Sequence, residues 1–227
     1  MTDAAFSLPG YAELHCLSCF SFQRGASHPG ELVERAFKLG YSAIAITDEC
    51  SDSGVVRAYS AWRELALGPQ PAFKLILGSE FHFDGFQLVA LARNVTGWGN
   101  LCEFITAARR EAKKGEYGVS RATSDFGLLR ECEILIAPER GAAGEEAEAG
   151  RLLEIAGWAR GLFGDSAWLA AALPPGLDDA LWLHTLQQAG QRRGLPLVAG
   201  GHVPLPVPPP QPPTHGLTPV PAARPVG

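Results

Sequence analysis

The chain has 227 residues, of which 46% are hydrophobic, and this is enough to bury the core of one large α/β domain or two small ones. Its 24 acidic and 19 basic residues give a formal net charge of -5, which excludes a protein-wide basic field for holding a nucleic-acid backbone. The sequence shows neither a secretory leader nor an apolar run long enough to span a bilayer, so we expect a cytoplasmic protein without membrane contacts. Five cysteines at scattered positions do not form a secreted disulfide framework.

Strands and helices alternate along the sequence after a flexible leader over residues 1–10. Strands are predicted where apolar residues run between turn signals, and helices where apolar residues recur every three or four positions. Asp84-Gly85 between two apolar runs is the strongest hairpin signal in the chain. The predicted strands are 11–16, 42–48, 74–83, 86–92, 133–137, 167–173 and 195–199. The predicted helices are about 29–40, 52–67, 101–114, 145–163 and 178–193.

This order predicts an α/β fold. Strands that alternate with helices imply right-handed crossovers and a parallel sheet, and this number of units favours a TIM-like barrel over an open sheet. A doubly wound open sheet is the alternative. A barrel would collect polar groups from several strand ends at one mouth. In the first strand, alternation places His15 and Cys16 on opposite faces.

The composition changes abruptly at Gly200 and Gly201, where a proline-rich tail begins. Neither a helix nor a strand ladder survives that density of proline, so we expect residues 201–227 to be disordered or polyproline-like. Docking of a PxxP-type segment to an aromatic groove is an alternative role. The abrupt change is also typical of an out-of-frame or truncated coding sequence.

Polar side chains at strand ends are candidates for holding a metal ion. Metal-assisted phosphoester hydrolysis needs His, Asp and Glu side chains that converge on ions, which activate water and offset phosphate charge. Carboxylates at strand ends also cap helices or pair with cations, so a purely structural role is the alternative. The candidates are His15, Asp48, Glu49 and Glu80, with His202 as a further one.

Other chemistry-bearing residues do not form a recognisable catalytic pattern. Cys16 and Cys19 are spaced as Cys-x-x-Cys, but no second pair completes a four-thiolate zinc site, and a redox motif would open a helix. Gly97-Trp98-Gly99 lacks the third glycine of a nucleotide-binding loop. His82 is interpreted as a hairpin side chain.

Several segments together carry a more specific signature. They resemble the PHP domain (polymerase and histidinol-phosphatase) that opens the alpha subunits of bacterial C-family DNA polymerases, in the error-prone branch. The resemblance covers about residues 11–200 and implies a distorted (β/α)7 barrel, incomplete at its C-terminus here. The segments are Glu13-Leu14-His15-Cys16-Leu17-Ser18, Arg24-Gly25-Ala26-Ser27-His28-Pro29, Ala45-Ile46-Thr47-Asp48-Glu49-Cys50-Ser51, Gly78-Ser79-Glu80-Phe81 and Gly97-Trp98-Gly99-Asn100-Leu101-Cys102.

The resemblance also shows where this sequence departs from an intact PHP metal site. Family members with such a site end the first strand in His-x-His, carry an Asp in the next loop and end the second strand in Thr-Asp-His. This sequence keeps His15 and Glu80 but has Leu17, Arg24 and Glu49 at the other three positions. With these ligands lost, we expect no multinuclear metal centre and no hydrolysis.

Two further expectations concern this eroded site. The Asp-x-His motif expected after the last strand reads Gly201-His202-Val203-Pro204, so it is absent or replaced. If no ion is bound, a lone histidine at the barrel mouth has few buried partners, and His15→Ala should leave the stability nearly unchanged. A loss above about 2 kcal/mol would instead indicate a buried network or an ion.

The resemblance implies that the chain is the N-terminal PHP fragment of an error-prone polymerase, with a role in lesion-tolerant DNA synthesis and DNA repair. In the family, the magnesium-binding polymerase carboxylates lie beyond residue 227. We therefore expect a scaffold for the remainder of the polymerase alpha chain, inactive alone and reaching DNA only through the full-length protein. No cofactor is expected in this fragment, whereas Zn or Mn would suit an intact PHP site. The alternatives are a free-standing metal-dependent phosphoesterase and a non-functional product of a broken gene.

Overall fold

A computed structural model describes residues 10–66, 73–110, 112–141, 144–171 and 179–200. The predicted leader, except for residue 10, lies outside the described residues. So does the proline-rich tail, which contains His202. The ends predicted for one helix near residue 67 and one strand near residue 173 also lie outside them.

The elements follow the predicted alternation of strands and helices. The strands are β1 (Ala12–Cys16), β2 (Ala43–Ile46), β3 (Lys74–Phe83), β4 (Phe86–Ala92), β5 (Cys132–Pro138), β6 (Ala167–Ala171) and β7 (Leu197–Ala199). The helices are α1 (Pro29–Lys38), α2 (Val55–Ala66), α3 (Val95–Arg110), α4 (Glu145–Phe163) and α5 (Asp179–Arg193), with short 3-10 turns at Phe126–Leu129 and Gly164–Ser166. The bounds of β3, β4 and α4 are those predicted from the sequence.

The seven strands form one sheet in sequence order. Strands β1 to β3 are parallel, β5 to β7 are parallel, and β4 runs antiparallel to both of its neighbours. The sheet is therefore mixed, because the hairpin at Asp84-Gly85 reverses the chain into β4 and the connection through α3 reverses it again into β5. Within the described part of the chain the ladder ends at β1 and β7, so the curled sheet is an incomplete TIM-like barrel.

Apolar side chains cover both faces of the sheet. On β2, Ile44 and Ile46 pack with residues of α1 and α2, whereas Ala45 packs with Val89 and Leu135 on the other face. All four residues of β2 are buried, as predicted for a strand covered on both sides. The largest cluster lies between β3 to β6 and the helices α3 and α4.

A register shift in β1 controls where its last side chains point. Glu13 pairs with Ile44 and Cys16 with Ile46, so three steps along β1 match two along β2. Such bulges re-aim side chains. Cys16 packs in the cluster formed with α1 and α2, while the His15 imidazole bonds to the Glu80 carboxylate across the sheet, so the predicted opposite orientation of these two residues is confirmed.

Two helix starts show how local chemistry sets the boundaries. The His28 N–H donates to Oε2 of Glu31 at 2.9 Å, and Pro29 opens α1 as predicted. Helix α3 begins at Val95, earlier than predicted, because the Asn94 side chain accepts a 2.8 Å hydrogen bond from the N–H of Gly97. The two glycines of Gly97-Trp98-Gly99 therefore lie inside the helix, ahead of its predicted start at about residue 101.

Candidate metal-type cluster at the ends of the first three strands

A polar cluster lies where β1, β2 and β3 end. Parallel strands place their carboxyl ends at one edge, so His15, Glu49 and Glu80 come together although they are far apart in sequence. One ligand atom from each of Glu49, Glu80 and His82 lies within 4.8 Å of the others. These three residues are named the acidic-histidine cluster below.

Glu80 is the buried centre of the site. Its side chain is 0% exposed, and Oε2 accepts a hydrogen bond from Nε2 of His15. The other oxygen, Oε1, accepts from Nη1 of Arg24 and lies 2.6 Å from Nε2 of His82. Burial alone would raise the pKa of Glu80, but the hydrogen bonds from His15 and His82 and the charges of His15 and Arg24 hold that pKa well below its usual value.

Arg24 reaches into the cluster from the loop after β1. Its Nη1 donates to Oε2 of Glu49 at 2.9 Å and to Oε1 of Glu80, and it lies 2.7 Å from Nε2 of His82. Burial opposes the charged guanidinium, but the two carboxylates raise the pKa of Arg24 above its usual value. One cationic nitrogen thus contacts an atom of every member of the acidic-histidine cluster.

The turn that carries Arg24 is tightly built. The N–H groups of Arg24 and Gly25 both donate to the carbonyl oxygen of Ser21, at 3.0 and 2.9 Å. Gln23 adopts a left-handed φ of 62°. A Cβ on Gly25 would lie 1.9 Å from the carbonyl oxygen of Ser18, so only glycine fits there. These features fix the direction in which Arg24 leaves the loop.

The other oxygen of Glu49 is held by the segment that follows α3. The Tyr117 hydroxyl donates to Oε1 of Glu49 at 2.9 Å and accepts from the backbone N–H of His82 at 3.0 Å. Burial, followed by the nearby Glu49 charge, raises the pKa of Tyr117 above its usual value, so this hydroxyl remains a donor. Arg109 of α3 donates to the carbonyl oxygen of Cys50 at 2.7 Å, which fixes the chain beside Glu49.

Asp48 faces a different set of partners. Its carboxylate accepts hydrogen bonds from the N–H of Ser18 at 2.8 Å, the hydroxyl of Ser18 at 2.7 Å and the hydroxyl of Ser21 at 2.7 Å. The carbonyl oxygen of Asp48 accepts from the hydroxyl of Ser79 at 2.8 Å. Asp48 is 1% exposed and fastens the loop after β1 to the end of β2.

The structure thus separates the four predicted candidates that it describes. It brings Glu49 and Glu80 into one cluster with His15 in direct contact, and it places the Asp48 carboxylate among serine donors. The expectation that His15 has few buried partners is wrong, because it is 4% exposed and bonded to a fully buried carboxylate.

Two members of the site were missed by the sequence analysis. His82 follows Glu80 by two residues on the same strand, so strand alternation places both on one face and could have indicated it. Tyr117 lies outside any strand or helix, and its sequence position carries no signal of this contact.

Two carboxylates and an imidazole are metal ligands that suit Zn or Mn. The guanidinium of Arg24, however, contacts one atom of each of them, and a divalent ion placed among the same atoms would meet a fixed positive charge. With Arg24 in this position, the residues present do not fit a metal ion.

Comparison with known proteins identifies the family. The family model described as "PHP domain" matches residues 13–156. An error-prone DNA polymerase of Azoarcus sp. is 41% identical over 219 residues, covering 86% of this chain and 20% of the relative. An error-prone DNA polymerase of Dechloromonas aromatica is 46% identical over 202 residues, covering 87% of this chain and 18% of the relative. The chain thus spans about a fifth of the length of these curated relatives.

Solved structures share the fold at low sequence identity. A candidate metal-dependent phosphoesterase from Bifidobacterium adolescentis has a TM-score of 0.52 at 15% identity, covering 88% of this chain and 90% of that chain. An amidohydrolase from Chromobacterium violaceum, solved with sulfate and no metal, has a TM-score of 0.56 at 16% identity, covering 86% and 87%. Among the described residues, no helix combines the length and apolarity needed to cross a membrane. On the strength of the family match over most of its folded length, this chain belongs to the PHP domain family.

Proposed function

We propose that this chain is the N-terminal PHP segment of an error-prone DNA polymerase and acts as a scaffold for the rest of that polymerase during lesion-tolerant synthesis. Its identity of 41–46% to proteins named error-prone DNA polymerase supports this role. Since the chain spans about a fifth of their length, we assign the nucleotidyl-transfer chemistry, and the magnesium ions it uses, to the remainder of the polymerase chain. DNA contacts belong to that remainder too, since this segment has a net charge of -5.

The single observation that favours a scaffold over a hydrolase is the position of Arg24. A metal-dependent hydrolase needs an ion with an open coordination position where water is activated. Here the guanidinium fills the space among Glu49, Glu80 and His82 and ties the ends of three strands together. The site is therefore built to hold a structure rather than to turn over a substrate.

The scaffold role is tested with a chimera of the Azoarcus error-prone DNA polymerase in which residues 11–200 of this chain replace the matching region. Primer extension past an abasic site is compared with that of the same polymerase lacking the region altogether. We expect the chimera to extend the primer and the truncated enzyme to be insoluble or inactive. Extension by the truncated enzyme at the rate of the intact polymerase would contradict a scaffold role.

A metal-dependent phosphoesterase is the competing function, and the fold similarity to the Bifidobacterium protein is what favours it. The 227-residue chain is assayed for hydrolysis of p-nitrophenyl phosphate with Zn²⁺ or Mn²⁺ added. We expect no turnover above the protein-free blank. Hydrolysis that disappears when Glu80 is replaced by glutamine would instead establish the phosphoesterase.

A further inference from the structure

Nη1 of Arg24 lies among the ligand atoms of the acidic-histidine cluster. The three ligand atoms of Glu49, Glu80 and His82 lie within 4.8 Å of one another, so small side-chain movements would bring them within reach of one ion. Nη1 of Arg24 is 2.9 Å from the Glu49 oxygen and 2.7 Å from the His82 nitrogen, and it bonds to the Glu80 oxygen. A positive charge is therefore already seated where a cation would bind.

The charge balance explains why some cation is needed there. The Glu80 side chain is 0% exposed and that of Glu49 is 25% exposed, so water screens their mutual repulsion poorly. Removing the guanidinium would leave Glu80 with its two histidine partners and Glu49 with the Tyr117 hydroxyl, but without the arginine charge that lies between the two carboxylates. An added cation would then be attracted to the same point.

The loop that carries Arg24 is anchored independently of the guanidinium. Ser18 and Ser21 donate three hydrogen bonds to the Asp48 carboxylate, and the N–H of Glu49 donates to the Ser21 hydroxyl at 3.0 Å. None of these bonds involves the Arg24 side chain. Truncating Arg24 should therefore open a space while the surrounding ligands stay in place.

We propose that Arg24 is a built-in structural cation, and that truncating it uncovers a latent Zn²⁺ site formed by Glu49, Glu80 and His82. Zn²⁺ takes carboxylate oxygen and imidazole nitrogen at about 2.0–2.2 Å, with water completing four ligands. His15, bonded to the second oxygen of Glu80, would act as the outer partner that orients this ligand. This inference is separate from the polymerase role, since it concerns this chain alone.

The experiment compares the wild-type chain with Arg24→Ala, each with EDTA and then with one to ten equivalents of Zn²⁺. Melting temperature and titration calorimetry are the readouts. We expect Arg24→Ala to melt about 5 °C below wild type in EDTA, and Zn²⁺ to restore about that amount. The wild-type melting temperature should rise with Zn²⁺ by clearly less than that of Arg24→Ala. Arg160→Ala is the matched control, since Arg160 pairs at 2.7 Å with the exposed Asp165; this variant should stay near wild type and gain no zinc response.

A second zinc-binding pair must be separated from the proposed site. Sγ of Cys19 lies 3.2 Å from Nδ1 of His28, so both proteins could take up Zn²⁺ there. The deciding measurement is therefore the additional equivalent of Zn²⁺ that Arg24→Ala binds in titration calorimetry, compared with wild type. This extra equivalent should vanish in the double variant Arg24→Ala/His82→Ala. Its persistence would overturn the proposal.

Arg24→Lys keeps the test decisive if Arg24→Ala fails to fold. A lysine supplies a positive charge at the same loop position, so this variant should fold without metal and bind no extra zinc. The proposal would be overturned if Arg24→Lys bound the additional equivalent of Zn²⁺ as tightly as Arg24→Ala does. It would also be overturned by a wild-type chain whose melting temperature rises with Zn²⁺ as much as that of Arg24→Ala.

Discussion

The imidazole of His15 hydrogen-bonds to the carboxylate of Glu80, and the two side chains are only 5% and 0% exposed. The bond joins the end of β1 to β3 across the intervening strand β2, in a region where water cannot replace a lost partner. The second oxygen of Glu80 is engaged by Arg24 and faces His82. Glu80 is therefore the point at which the first three strands are tied together.

This contact predicts that His15→Ala lowers the free energy of unfolding by about 2–3 kcal/mol, because one oxygen of a buried carboxylate loses its donor. Urea unfolding at neutral pH measures the change. His184→Ala is the control, since His184 lies on the exposed face of α5 and should cost less than about 0.5 kcal/mol. Equal losses for the two variants would show that Arg24 and His82 suffice to hold Glu80.

The stability of the domain should also depend on the protonation of His82. Burial alone would lower the pKa of His82, but its hydrogen bond to Glu80 and the Glu80 charge raise it; the Arg24 charge opposes this increase and the Glu49 charge adds to it. Glu139 also faces the ring, with Oε1 3.9 Å from Nδ1. A histidine with a raised pKa in the folded state contributes stability below its unfolded pKa of about 6.5 and loses it as the pH rises through the folded value.

We therefore expect the free energy of unfolding to fall as the pH rises above about 6.5. Replacing His82 by glutamine should flatten this dependence, because glutamine does not titrate. Urea unfolding at closely spaced pH values between about 5.5 and 8.5, for both proteins, measures the two slopes. A variant slope as steep as that of the wild type would assign the dependence to another group.

The order of elements was predictable because each one has a local cause. The hairpin follows from Asp84-Gly85 between apolar runs, and α1 follows from Pro29 at its start. The early start of α3 was missed because two glycines disguise a helix whose first turn is stabilised by Asn94. Local propensity sets the elements, while a single side-chain bond can move a boundary by several residues.

The site was predictable only in part, because adjacent residues of an extended chain point in opposite directions. Asp48 and Glu49 follow the same strand and were both predicted as candidates, but their order does not say which one joins Glu80. The tertiary contacts decide it, with Ser18 and Ser21 taking Asp48. Tyr117 enters from a segment distant in sequence, which no local pattern signals.

Asp48 should be a stability residue. Asp48→Ala removes the acceptor of three hydrogen bonds from Ser18 and Ser21 in a site that is 1% exposed. We expect a loss of about 3 kcal/mol, since buried donors are left unsatisfied. Asp165→Ala, at a side chain that is 95% exposed, is the control and should cost less than about 0.5 kcal/mol. Chemical denaturation of both variants decides whether the two losses differ as expected.

Two glycines in α3 offer a matched test of how closely this helix approaches the sheet. A Cβ on Gly97 would lie 2.2 Å from the carbonyl oxygen of Glu131, whereas a Cβ on Gly99 would meet no atom of the described residues within 4 Å. Gly97→Ala should therefore lower the free energy of unfolding by about 2–3 kcal/mol, because backbone must move to admit the methyl group. Gly99→Ala should raise it by about 0.5–1 kcal/mol, because alanine is the better helix former.

Both changes are measured by urea unfolding, and each variant controls for the other because the substitution and the helix are the same. A gain in both variants would mean that α3 lies further from the segment before β5 than the contact with Glu131 requires.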